Sequence, residues 1–152
     1  MKRIILVLAL MSSILLCACT KNADNVNIDI KALADGLKNE VAFSEELTNI
    51  SNTALLRRYG LTEDDVSEAY GYSGTRAVVD EIAVFKSDDT KKVEEQVQAH
   101  LDSQTTNYTS YAPNEVPKLD DAVVSVIGDC VVVCVSNDDA GKVISKIAEL
   151  AK

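Results

Sequence analysis

Ala122 to Val135 reads AVVSVIGDCVVVCV, two β-branched runs separated by Gly128-Asp129. Valine and isoleucine fit a pleated strand better than a helix, and a two-residue turn containing Gly is the connection a tight antiparallel hairpin needs. Alternation then sets the faces. Val131, Val133 and Val135 look one way, Cys130, Val132 and Cys134 the other, while Val123 and Ile127 oppose Val124 and Val126. Both faces of this hairpin are apolar. Each must be covered, either by helices of the same chain or by a partner's surface.

Working outward, Asn137-Asp138-Asp139 supplies capping groups for a last helix carrying Val143, Ile144, Ile147, Ala148 and Leu150. Upstream, Tyr111-Ala112-Pro113-Asn114-Glu115-Val116-Pro117 holds both prolines of the chain, which rule out a continuous helix and predict a rigid connection. Before it, Ser87-Asp88-Asp89 caps the longest helix, whose stripe is Val93, Val97, His100, Leu101, Gln104 and Tyr108. Asp65 to Tyr72 and Ala77 to Phe85 read as two strands joined across Gly71-Tyr72-Ser73-Gly74-Thr75, with Ile82 and Val84 on one face and Ala83 and Phe85 on the other. Thr53 to Tyr59 is a short helix stopped by Gly60, and Phe43 to Ile50 is ambiguous, with Leu47 and Ile50 as anchors. Ile30, Leu33, Ala34 and Leu37 make an amphipathic first helix, capped by Asn27 or Asp29. The expectation is one α+β domain over 28–152, a mostly antiparallel four-stranded sheet with helices packed on it, in the order α-α-β-β-α-β-β-α.

The N-terminus has a different composition. Met1-Lys2-Arg3 is a positive start and Ile4 to Leu16 a 13-residue apolar core. A spanning helix needs about 20 apolar residues, so the segment reads as a secretory signal. Leu16-Cys17-Ala18-Cys19 resembles the bacterial lipobox, with Leu16 three residues before Cys19 and small Ala18 directly before it. On this reading 1–18 is a lipoprotein signal peptide, Cys19 carries the diacylglyceryl group, and 19–27 is a lipidated, flexible tether. Two acyl chains on one residue meet the requirement for stable anchoring. The protein is then exported to the outer face of the cytoplasmic membrane. Fifteen basic against 24 acidic side chains give a formal charge of −9, and removing Lys2 and Arg3 with the leader makes it −11. Such an acidic chain repels phosphate backbones, so no nucleic-acid partner is expected.

No catalytic constellation is visible. Gly71-Tyr72-Ser73-Gly74 lacks the spacing of a nucleophile elbow. The single histidine, His100, is expected at the boundary of its helix, its ring packed and a nitrogen reaching water. Asp64-Asp65, Asp88-Asp89, Asp120-Asp121 and Asp138-Asp139 all fall at element boundaries, where capping and turn formation account for them. Cys130 and Cys134 lie on one face of a strand about 13 Å apart, beyond disulfide reach, and read as buried thiols. No metal site and no cofactor is expected. Four of the five tyrosines, Tyr70, Tyr72, Tyr108 and Tyr111, are candidates to gather into a partner or ligand surface, since each offers contact area plus a hydroxyl.

With the lipobox, Ile82-Ala83-Val84-Phe85-Lys86, the capped helix after it, Tyr111 to Leu119 and the valine-rich hairpin turning on Gly128-Asp129, the chain resembles the domain-of-unknown-function 4358 family. These are small lipid-anchored proteins typical of clostridia and other Gram-positive bacteria. The family pattern has an aromatic residue just after the hairpin turn, where this chain has Cys130. The resemblance implies location and fold, with no catalytic residue, substrate or cofactor to carry over. The functional expectation is a non-enzymatic binding or adaptor module for an envelope protein, anchored to the membrane through Cys19; the alternative is a domain binding a small ligand or cell-wall fragment.

Overall fold

A computed structural model describes residues 27–152. The expected signal peptide, the expected lipidation site Cys19 and nearly all of the expected tether lie outside the described residues. None of the described helices is long and apolar enough to cross a membrane.

The elements follow in the order α1 (Ile30–Glu40), β1 (Thr48–Asn49), α2 (Asn52–Tyr59), β2 (Glu68–Ser73), β3 (Glu81–Lys86), α3 (Thr90–Tyr111), a 3-10 turn (Pro113–Glu115), α4 (Val116–Asp120), β4 (Val123–Ile127), β5 (Cys130–Val135) and α5 (Ala140–Leu150). Caps fix the starts of four helices. The side chains of Asp29, Ser51, Asp89 and Asp139 accept from the amides of Ala32, Ala54, Lys92 and Lys142. Each such cap contributes about 1 kcal/mol. α2 ends where Gly60 enters the left-handed region at φ +66, a conformation that costs other residues about 1 kcal/mol or more.

The sheet has five strands, not four, in the order β1-β2-β3-β5-β4, and every pair is antiparallel. The extra strand is the two-residue β1, where Thr48 pairs with Ser73 and Asn49 with Tyr72. It lies in the ambiguous 43–50 stretch and is too short to show alternation. The Pro segment also departs from expectation. Pro113 opens the 3-10 turn and Pro117 sits in the first turn of α4, positions where a missing amide hydrogen costs nothing. The β2–β3 hairpin is shifted as well. β2 runs on to Ser73, Tyr72 pairs with Ile82, and the connection is Gly74 to Asp80. Gly71 is required there: a Cβ at that position would meet the Ile82 carbonyl oxygen at 2.5 Å.

The valine-rich hairpin forms as read, with Ile127 paired to Cys130 across Gly128-Asp129. Gly128 has φ +58 and Asp129 a negative φ, the pattern of a type II′ turn. Both sheet faces are covered from within the chain. One carries α1 and α5, where Leu33, Leu37, Val143 and Ile147 pack on Ile82, Val84, Val132 and Cys134. The other carries α2, α3 and α4, where Leu55, Tyr59, Val93, Val97 and Leu119 pack on Ala83, Phe85, Val131 and Val133. All six residues of β5 are buried. Each of its four valines, fully buried in this interior strand, contributes about 1.5–3 kcal/mol to the core.

Candidate functional site

β3 begins with an acid in an apolar phase. Glu81 shares the face of Ala83 and Phe85, which sends its carboxylate into the layer between the sheet, α2 and α3. Its side chain is 5 % exposed. Three groups meet it there. Arg58 Nη1 donates to Oε2 at 3.0 Å, the Tyr59 hydroxyl donates to Oε1 at 2.7 Å, and His100 Nε2 lies 2.9 Å from Oε1. Burial opposes ionisation of the carboxyl. The hydrogen bond and charge of His100, the Tyr59 hydroxyl and Arg58 outweigh it and hold Glu81 below the usual carboxylate range. The same burial, with Glu81 beside it, pushes the Tyr59 phenol well above its ordinary value. Tyr59 also touches Phe85 edge-on at 5.0 Å and His100 at 4.2 Å between ring centres. The nitrogen of His100 expected to reach water thus meets a buried carboxylate instead.

Above Glu81 and Arg58 opens a cleft of about 510 Å³, between the β2–β3 connection and the C-terminal half of α3. Arg76 and Thr75 line it on one wall, and Gln104, Asn107, Tyr108 and Tyr111 on the other. The two walls are tied together. The Tyr108 hydroxyl lies 3.0 Å from the Arg76 carbonyl and 2.9 Å from that of Val78, where it donates. Burial raises the Tyr108 phenol above its ordinary value, which keeps that donor protonated. The connection is also held from behind. Lys118 Nζ reaches Asp80 Oδ1 at 2.9 Å, Glu115 Oε2 at 2.9 Å and the Ser44 hydroxyl at 2.6 Å, and Glu115 accepts from the Val79 amide at 3.1 Å. Burial works against the Lys118 charge, yet Glu115 and Asp80 raise its pKa overall. The Glu45 carboxylate accepts from the Thr75 amide. A seven-residue connection clamped this often presents a preformed wall.

The tyrosines split into two pairs on opposite faces of the sheet. Tyr108 and Tyr111 stack edge-on at 5.9 Å and line the cleft, with Tyr111 68 % exposed. Tyr70 and Tyr72 pack under α1. Their rings are 5.6 Å apart, the Tyr72 hydroxyl donates to Asp35, and Lys31 and Lys38 lie over the two rings. The four do not form one surface, because residues 70 and 72 have the parity of Ile82 and Val84 while α3 covers the other face. Arg58, Arg76, Glu81, Gln104 and Asn107 were not foreseen. The one available signal was Glu81, an acid in phase with the apolar side of its strand.

Residues 39–136 match the family described as Domain of unknown function (DUF4358). The chain belongs to that family. The matched stretch contains all five strands, the Glu81 network and both walls of the cleft, while most of α1 and all of α5 fall outside it. No curated protein and no solved structure matches the chain significantly. Among the described residues no group of three or more His, Cys, Asp or Glu side chains is arranged to hold a metal ion. Cys130 and Cys134 are free and buried.

Proposed function

We propose that this member of DUF4358 is a lipid-anchored extracytoplasmic binding module of a Gram-positive envelope, non-enzymatic, whose ligand is a wall fragment bearing sugar hydroxyls and carboxylates. The observation that carries the reading is the cleft with Tyr111 exposed on one wall. An open aromatic face suits a sugar ring, the amide and hydroxyl groups of Asn107, Gln104 and Thr75 suit its hydroxyl and acetamido substituents, and Arg76 suits a carboxylate. Among the described residues Arg76 has no acidic side chain within ion-pairing distance. Its charge is left for a ligand. Glu81 supports a binding role rather than acid–base chemistry, since three partners hold it ionised instead of poised near neutrality. Cys19 anchors the module, as the lipobox implies.

Two experiments test this reading. Soluble muropeptides released from purified wall are titrated into the full-length protein in nonionic detergent, followed by tyrosine fluorescence, the intrinsic signal of a chain with no tryptophan. Saturable binding that Tyr111→Ala and Arg76→Ala each weaken is expected; no response from folded wild-type protein rejects the ligand. Cys19→Ser is expected to move the protein from the membrane to the soluble fraction. A variant that lacks acylation and still resists carbonate extraction rejects the lipid anchor.

A further inference from the structure

One edge of the sheet is the two-residue β1, too short to template another strand. The other is β4, five residues long, with sequence Val123-Val124-Ser125-Val126-Ile127 and no charge or proline to blunt it. Its two-residue turn closes on a hydrogen-bonded Ile127–Cys130 pair, so the ladder bonds to β5 fall on residues 123, 125 and 127. The amides and carbonyls of Val124 and Val126 therefore face outward. Neither makes a backbone hydrogen bond outside the ladder among the described residues. Val126 is 41 % exposed.

A groove of about 630 Å³ runs beside this edge, between β4, α3 and α4. Leu101, Leu119, Ala122 and Val124 make its apolar lining, and Asp102 and Asp120 its acidic one. Asp121 is exposed at the start of β4. At the far end Asp129 sits in the turn that closes β4 onto β5, 3.9 Å from Lys86 on β3. The edge is thus strongly acidic at its Asp102, Asp120 and Asp121 end and carries Asp129 at the other. A second copy of this chain is a poor occupant for that reason: pairing the whole of β4 with itself about Ser125 sets Asp121 opposite Asp129 of the copy. We propose that β4 docks an extended segment of another envelope protein, apolar in the middle and flanked by lysine or arginine, which adds a sixth strand to the sheet and seats alternate side chains in the groove. This surface is separate from the Tyr111 cleft and stands or falls independently of it.

The test uses full-length protein in nonionic detergent and a capped peptide of alternating valine and threonine with two lysines at each end. The expected result is saturable binding with slowed hydrogen exchange at the amides of Val124 and Val126. A peptide with glutamates in place of the lysines is expected to bind about ten-fold weaker or worse, the equivalent of about 1.4 kcal/mol. Val126→Lys, at an exposed site that tolerates lysine, is expected to abolish the protection with the far-ultraviolet circular dichroism unchanged. Unprotected Val124 and Val126 amides at saturating lysine peptide overturn the proposal. Equal binding of both peptides overturns the choice of partner, and protection that appears with protein concentration alone, together with a dimer, assigns the edge to a second copy instead.

Discussion

His100 Nε2 lies 2.9 Å from Glu81 Oε1, and both side chains are 5 % exposed between the sheet and α3. With Arg58 and the Tyr59 hydroxyl on the same carboxylate, Glu81 joins α2, α3 and β3 through one residue. Removing one partner of such a buried group leaves the others without an acceptor. Glu81→Ala is expected to lower the unfolding free energy by about 3–5 kcal/mol, and Tyr59→Phe by about 1.5–3 kcal/mol. Urea denaturation measures both. A loss under about 1 kcal/mol for Glu81→Ala would show that the network contributes little to the fold.

The same carboxylate sets a pH dependence. Its folded pKa is lowered from the ordinary value of 4.5, so the unfolded chain binds its proton first. The stability it provides is complete above pH 4.5 and is lost as pH falls through the lower, folded value. Stability curves of wild type and Glu81→Gln are therefore expected to converge in acid below pH 4.5 and to run parallel above pH 6. Curves parallel throughout would place the acid sensitivity elsewhere.

Gly71 and Gly128 are both needed, for different reasons. Gly71→Ala drives a Cβ against the Ile82 carbonyl oxygen, a backbone atom that cannot turn aside, and is expected to cost about 1–3 kcal/mol. Gly128→Ala meets no atom within 4 Å but must hold φ +58, at a cost of about 1–2 kcal/mol. Gly128→Asn, which tolerates that region, is expected to recover part of the loss in thermal melts, whereas Gly71→Asn is expected to be worse than Gly71→Ala.

Burial pushes both Cys130 and Cys134 up to about 12, and only the thiolate reacts. Iodoacetamide at pH 8 is expected to leave both unmodified in the folded protein and to label both in urea, read by peptide mapping of residues 130–134. Rapid labelling of either thiol in the folded state would mean that β5 opens far more readily than a central strand should.

Much of this architecture is legible in the chain. The valines of β5, the Gly128 turn and the Asp caps of α3 and α5 are local signals, and local rules suffice to read them. β1 escapes because two residues carry no period and its partners Ser73 and Tyr72 on β2 lie far along the chain. The cleft escapes for the same reason. Tyr108 and Arg76 meet only after α3 folds back over the sheet, and nothing near either residue announces the other. The grouping of four tyrosines fails on parity: Tyr70 and Tyr72 sit on β2 with the side-chain phase of the α1 face, a constraint that spacing along the chain already contained.

α1 and α5 together roof one whole face of the sheet, yet the family match covers 39–136 and leaves most of the first and all of the second outside. Excised at those limits, the shared segment would lose Leu33, Leu37, Val143 and Ile147 and bare Ile82, Val84, Val132 and Cys134 to water. The cooperative folding unit is therefore longer than the segment that defines the family, and its two ends, remote in sequence, are a single lid.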